Sequence, residues 1–418
     1  MNQKFFEKYF LVFFSLIPIS IIIGPAASLF AVLAISLSSF FILPSIYKQG
    51  HNIFLSRTVK ILILLYLYLI FNSFIALDFM ASAKRNFGFI RFILLFIACN
   101  YFFYISKKPN NLFKFWSIIL IIFTADIYFE VITGKNILGY GDDKLTRERV
   151  VSFFKDELIS GAFINSFFLI LVGYFFIDFN KKNKTLQISI LLIFFIFLYA
   201  IFFTGERSNS IKALIGSIAF LLLNKNFGSK VKLYLFTIFT ALIILIYSNS
   251  EFLKLRYEGQ LLNYITGKNN ISHATLTNNK YVVLYSVGYE VFKKHPFFGV
   301  GNKNFRIEVC RKDNTYKRCT THPHQIYFEF LSEHGLVGTL ILLSILFYLI
   351  FRVLKVIIIS KNYVQLGCFL YLILVFTPFI PGGSFFNDFN STIFWINFSL
   401  LYASNKKTNI FNNETKLE

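Results

Sequence analysis

Long apolar runs recur along the chain: ILILLYLYLIF (61–71), ISILLIFFIFLYAIFF (188–203), LFTIFTALIILIY (235–247) and LILLSILFYLIF (340–351). A helix needs about 20 mostly apolar residues to cross the hydrocarbon of a bilayer. Extended to their polar flanks, the runs and their neighbours predict spans at 8–23, 26–46, 59–77, 87–105, 112–133, 157–177, 186–203, 207–223, 232–249, 334–352, 363–380 and 390–404. Over all 418 residues, 56% are hydrophobic and mean hydropathy is +0.61, well above the composition of soluble domains. The expected fold is an all-α polytopic membrane protein of about twelve transmembrane helices. GPAAS (24–28) has the look of a cleavage site, but a second span follows at once, so the first two spans read as an uncleaved hairpin.

A net charge of +21 invites a nucleic-acid reading, and its distribution argues against one. With the N-terminus inside, the basic residues fall on the inner side: Lys4 and Lys8, then Lys48, Arg57 and Lys60, then Lys107, Lys108 and Lys114. Lys181, Lys182 and Lys184 follow, then Lys225, Lys230 and Lys232, Arg352, Lys355 and Lys361, and Lys406 and Lys407. The short outer turns carry few. This is the positive-inside bias, so the charge encodes orientation and membrane lipids, not nucleic acid, are the expected surroundings.

That orientation leaves 134–156 and 250–333 outside. The expected organisation is helices one to nine over 1–249, a large outer loop over 250–333, helices ten to twelve over 334–404, and a polar, frayed inner tail over 405–418. Apolar residues at helical spacing predict an amphipathic helix over 277–294 in the loop, ended by a Pro-Gly turn. Cys310 and Cys319 bracket RKDNTYKR in the same loop, where an oxidising compartment permits a disulfide. Cys99 and Cys368 fall in predicted spans and read as packing residues.

Ionisable residues at a membrane edge are costly and become candidates for function. In FFTGERSNS (202–210), Arg207 with Glu206 beside it reads either as a snorkelling anchor or as an anion clamp whose planar fork suits phosphate oxygens. Asp156 and Glu157 open span six, where the helix dipole favours acids; contact with sugar hydroxyls or pairing with Arg207 is the functional alternative. Arg256, and more weakly Lys280, are further candidate phosphate ligands from the large loop. Arg91 in span four reads equally as structural or substrate-binding. HPHQIYFEFLSEHGLVG (322–338) is the densest polar cluster. A helix starting near 324 would place His324, Phe328, Leu331, Gly335 and Gly338 on one stripe, with the histidine at the outer end and the glycines where another helix approaches closely. His324 then stands where a general base meets a hydroxyl, against the plainer reading of a capping histidine. His322 reads as structural. Zinc on His322, His324 and Glu329 matches none of the usual spacings, so no metal or other cofactor is expected.

His324-Gln325, nine residues, Gly335, two residues and Gly338 resemble the signature of the O-antigen ligase and polymerase superfamily. HPFFGVGNKNF (295–305), with Gly299 and Gly301, resembles that family's turn motif. TGERSNS resembles its outer-edge arginine motif, and FFKDELISG resembles a motif of one branch. The resemblance implies a metal-independent membrane glycosyltransferase of the bacterial inner membrane with its site on the periplasmic face. The donor is a glycan on undecaprenyl diphosphate. The acceptor is a lipid A-core sugar in ligases or another lipid-linked repeat unit in polymerases. It implies His324 as the base and Arg207 as a diphosphate ligand, with Lys280 or Arg256 at the position where relatives carry a second arginine. Ligase is the leading reading and polymerase the nearest alternative. A lipid-glycan flippase would spread charge through a central cavity, and here the charge gathers on one outer face.

Overall fold

The computed structural model of the protein describes residues 3–48, 53–141, 149–155, 157–249, 254, 280–311, 316 and 318–412. Among these, every regular element is a helix. In chain order they are α1 (Gln3–Ser15), α2 (Ile17–Ile23), α3 (Pro25–Lys48), α4 (Arg57–Phe74), α5 (Phe79–Phe87) and α6 (Ile90–Ile105). Then come α7 (Asn111–Thr133), α8 (Ser160–Phe175), α9 (Lys184–Phe203), α10 (Arg207–Leu223) and α11 (Ser229–Asn249). The last are α12 (Lys280–Lys294), α13 (Phe305–Val309), α14 (Ile326–Phe351), α15 (Leu354–Ser360), α16 (Tyr363–Val375) and α17 (Asp388–Ala403). Short 3-10 turns join some of them.

Six stretches among the described residues are long and apolar enough to cross a membrane: Pro25–Pro44, Arg57–Phe74, Phe79–Ile105, Asn111–Thr133, Lys184–Phe203 and Ile326–Ser360. They become seven if α1 and α2, bent by 41° at their junction, form one broken span. Pro18 opens α2 and brings no N–H, which breaks the ladder there. The chain is a polytopic helical membrane protein; among the described residues the expected count of about twelve spans is not reached. Hydropathy alone extends α8 and α16 beyond the 16 and 13 residues they occupy, about 24 and 20 Å at 1.5 Å per residue, short of a bilayer core of about 30 Å.

The described chain divides into two compact units. The first comprises Met1–Pro109, Ser272–Val356 and Val375–Glu418. Here α6 packs on α3 and α17, α1 and α2 lie on α3, and α12 lies on α14. Lipid is as apolar as a leucine side chain, so association rests on close packing more than on expulsion of water. The chain answers with aromatic residues. Phe6, Phe10 and Phe14 repeat every fourth residue on α1 and are fully buried, with Phe10 stacked on Phe102. Trp395 packs between Phe89, Phe92 and Phe398. Arg91 is structural: it pairs with Asp388 at 3.2 Å beside Arg85, which also pairs with Asp388, and its guanidinium lies 4.5 Å from the centre of the Phe92 ring.

The polar tail is not frayed over 405–412. The Asn409 side-chain amide donates to the Asn100 carbonyl at 2.8 Å, and Phe411 packs between Tyr101 and Tyr104. Its few apolar residues find a slot on α6. Residues 413–418 lie outside the described residues.

The second unit comprises Asn110–Ile271 and Ile357–Leu374. In it α8 packs on α7, α9 and α10. A side chain at Gly173 of α8 would run into the Tyr363 backbone, and one at Gly367 of α16 would run into the Leu169 backbone. Two glycines thus bring α8 and α16 into backbone contact.

Candidate active site

The motifs HPFFGVG and HPHQIYFEFLSEHGLVG meet at an interruption in α14. Gly335 adopts φ 63° and ψ −170°, so 326–334 and 336–351 are two helices separated by a break. A break inside a span leaves carbonyls before it and amides after it without helical partners. The turn 296–301 supplies partners for two of each. Val300 N donates to Ser332 O at 3.0 Å and Gly301 N to Glu333 O at 2.9 Å. On the other side, Leu336 N donates to Pro296 O at 2.8 Å and Val337 N to Phe297 O at 3.0 Å. The two sequence motifs, HPFFGVG and the paired glycines after His324, are therefore one interlocked structure. Side chains at Gly299 and Gly335 would each run into the other segment's backbone, and one at Gly301 would run into Ala76.

The expectation of one continuous helical stripe from His324 through Gly335 to Gly338 is corrected accordingly. Gly338 does face another helix: a side chain there would displace the Tyr68 hydroxyl of α4, which hydrogen-bonds His334 Nδ1 at 3.1 Å. Gly335 instead permits the break.

A set of asparagines fixes the turn further. Asn302 N donates to Asn72 Oδ1 at 2.8 Å, and the Asn302 side-chain amide donates to Asn86 Oδ1 at 2.5 Å. Asp78 N donates to Asn304 Oδ1 at 2.7 Å. Sequence reading missed these residues. Their one signal was Asn72 inside an apolar span, a polar group that must find a buried partner.

His324 precedes the helix instead of opening it. Gln325 is the N-cap, its side-chain oxygen accepting from Tyr327 N at 2.8 Å and Phe328 N at 3.1 Å, so Gln325 has a capping role. His324 has φ 59°, a left-handed conformation uncommon for a residue other than glycine, asparagine or aspartate. Three features hold it. Its carbonyl accepts from Gly382 N at 2.8 Å. Its ring lies 3.9 Å, centroid to centroid, from that of His322. Pro323 is buried against α12 at Gly288, where an added Cβ would come within 3.0 Å of it. Glu329, one turn into α14, ties the same corner: it accepts from Ser384 Oγ at 2.5 Å and from Phe385 N at 3.0 and 3.1 Å. Lys303 donates to Ser384 Oγ at 2.9 Å.

The electrostatics of the corner favour a neutral imidazole. Burial holds His324 below its ordinary value, and the positive charges of Lys280 and Arg318 push it the same way. Burial, with His324 and Lys303, pushes His322 down to about 3. A neutral His324 is able to accept a proton from a hydroxyl at physiological pH. Lys280, the first residue of α12, thus acts on His324 through its charge, as does the exposed Arg318. The Cys310–Cys319 disulfide expected from sequence is formed. Among the described residues, no three or more His, Cys, Asp or Glu side chains group as a metal site would require.

A pH profile tests this field. Because His324 is shifted down, the neutral form persists below pH 6.5 and the acid limb of activity lies below that value. Removing a cation should raise the imidazole back towards it. The acid limb of Lys280→Ala is expected at higher pH than that of the wild type. An unmoved limb would mean that Lys280 exerts no field on the titrating group.

Glu206 and Arg207 belong to the second unit. Glu206 is buried and its carboxylate accepts from Gly161 N at 2.7 Å, Ala162 N at 3.1 Å and the Asn209 side chain at 2.7 Å. It therefore caps the start of α8. Burial pushes it up to about 7, opposed by those donors and by Arg149. Glu157 does not take that place: α8 begins at Ser160, and Glu157 is exposed, its N–H closing a turn onto Phe154 O at 3.0 Å. Arg207 is the first residue of α10 and half-buried. Asp156 and Arg256 lie outside the described residues.

Residues 190–343 match the family model described as O-Antigen ligase, a segment that contains Glu206, Arg207, Lys280, Gly299, Gly301, His324, Gln325, Gly335 and Gly338. No curated protein matches the chain. With its interlocked glycine motifs and its helical membrane fold, the chain is similar over residues 190–343 to the O-antigen ligase family.

Proposed function

We propose that the protein is an O-antigen ligase of the inner membrane. It transfers a glycan from undecaprenyl diphosphate to a sugar hydroxyl of lipid A-core at the periplasmic face. The observation that carries this reading is His324, held in a left-handed conformation by its neighbours and kept neutral beside two cations, within the segment that matches the family. The acceptor hydroxyl oxygen attacks the anomeric carbon, its proton passes to His324, and the bond from that carbon to the phosphate oxygen breaks as the lipid diphosphate leaves. Arg207, with Lys280 or Arg256, balances the charge on the leaving group, a task that needs no metal where fixed cations do it. Asp156 and Glu157 are the proposed contacts to sugar hydroxyls, and Glu206 keeps the start of α8 in position.

A polymerase would run the same chemistry with a lipid-linked repeat unit as acceptor, and the superfamily match accommodates it. Surface glycans of a deletion strain separate the two. A ligase predicts polymer that persists on the lipid carrier and is missing from lipid A-core, restored by wild type and poorly by Arg207→Lys, because an ammonium lacks the guanidinium's paired donors. Single repeat units on the core would instead identify a polymerase. Unaltered glycans would remove the transferase reading, and full rescue by Arg207→Lys would remove the clamp.

A further inference from the structure

His322 reads as a structural residue in the sequence, yet its ring lies directly against that of His324. Two residues apart along an extended chain share a face but stand about 7 Å from one another. Here the two ring centroids are 3.9 Å apart, with 36° between the ring planes. Pro323, between them, is buried against α12 at Gly288, and the φ of 59° at His324 reorients its side chain relative to the residues before it. His322 is itself held. Its Nδ1 and Thr321 Oγ1 form a hydrogen bond at 2.9 Å, and Thr320 Oγ1 donates to its carbonyl at 3.4 Å.

A general base is commonly oriented by a third group that hydrogen-bonds its second nitrogen. Among the described residues, neither ring nitrogen of His324 has a hydrogen-bond partner; its ring is met by another ring instead. For an imidazole that takes up a proton, a stacked ring supplies two things. It fixes the plane in which the lone pair lies, and it offers a π face to the imidazolium that forms. The second requires the stacked ring to be uncharged. His322 meets that condition, since burial, His324 and Lys303 all push it down. The charges that act on His324 are Lys280 of α12 and Arg318. The 376–384 segment, bonded to the His324 carbonyl through Gly382, brings no titratable side chain.

We propose that His322 is a positioning residue for transfer: its ring is the surface against which the His324 imidazole is oriented towards the acceptor hydroxyl. The proposal rests on the reading of His324 as the transfer base. It puts a stacked ring where other bases have a hydrogen-bonded partner, and it gives both histidines of HPH a role in the reaction.

Steady-state transfer by the purified full-length protein in detergent tests the proposal. The donor is undecaprenyl-diphosphate-linked glycan, and the acceptor is whichever of lipid A-core or a lipid-linked repeat unit the wild type uses. His322→Ala is expected to lower kcat about tenfold, the upper end for one aromatic pair, with the KM of both substrates little changed. His322→Phe, flat and unable to carry a proton, should keep most of the wild-type kcat. His322→Leu, an apolar side chain without a flat face, should fall with His322→Ala. Thermal unfolding gives the folded fraction of each variant, and kcat is compared per folded protein. The acid limb should follow a single ionisation in the wild type and in His322→Phe alike. Wild-type kcat in His322→Ala, or equal kcat in His322→Leu and His322→Phe, would overturn the proposal. So would an inactive His322→Phe, or an acid limb that takes up two protons in the wild type and one in His322→Phe. His324→Asn separates this role from the base itself. Transfer retained in His324→Asn would remove the base and the positioning role together. An inactive His324→Asn beside a fully active His322→Ala would leave the base and remove only the role of His322.

Discussion

Replacing His324 by alanine is expected to lower the turnover of glycan transfer by about 10²–10⁴-fold, the range that one positioned general base supplies. The donor KM should change little, because the proposed diphosphate ligands are other residues. Alanine, however, is ill suited to φ 59° and to the packing of His324 beside His322. His324→Asn removes that ambiguity: asparagine tolerates the left-handed region and has no basic nitrogen. The two variants are expected to lose comparable activity, with His324→Asn unfolding at the wild-type temperature. Retained turnover in His324→Asn would show that the imidazole takes no proton, whatever His324→Ala does.

Gly335→Ala should be the most damaging single change to the fold. At φ 63° and ψ −170° the residue occupies a region open almost only to glycine, a strain of about 1–3 kcal/mol for any other side chain. The added methyl would collide with the Phe297 and Phe298 backbone, which has no flexible end to swing away. Overpacking of that kind costs a further ~1–3 kcal/mol. Relief by separation would break the bonds from Leu336 and Val337 to Pro296 and Phe297, about 1 kcal/mol each. The expected result is a sharp fall in the yield of folded protein and a clearly lower unfolding temperature in detergent. Gly228→Ala, where an added Cβ meets nothing within 4 Å, is the control and should behave as wild type. A Gly335→Ala protein as stable as that control would mean that α14 runs unbroken.

The apolar runs announced a helical membrane protein because length and hydropathy are local properties. They point to more spans than the described residues show, because hydropathy does not register where a helix ends, and α16 ends before its apolar residues do. The glycines at 299, 301, 335 and 338 were visible as a motif. The reason for three of them was not, since the surface each one meets comes from elsewhere in the chain: the 296–301 turn meets 332–337, and Gly301 meets Ala76 of the α4–α5 corner. The same distance hid the partner of Glu206, whose carboxylate caps a helix that begins 46 residues earlier. Glu157, next to that helix in sequence, looked the better candidate. His324 was legible from its spacing to the glycines. The role of Lys303 was not, because a lysine in a polar loop looks the same in sequence whether it is solvated or bonded to Ser384.

The central claim is that this corner of the chain performs transfer from a lipid diphosphate with His324 as base. The most direct measurement is a reaction of the purified protein with an undecaprenyl-diphosphate-linked glycan and lipid A-core, following the glycosylated acceptor and the released lipid diphosphate together. Wild type should yield the two products in equal amounts, and His324→Asn should yield neither at a comparable rate while still folding. Acceptor glycosylated at the wild-type rate by His324→Asn, or no product from the wild type with either lipid A-core or a lipid-linked repeat unit as acceptor, would contradict the account.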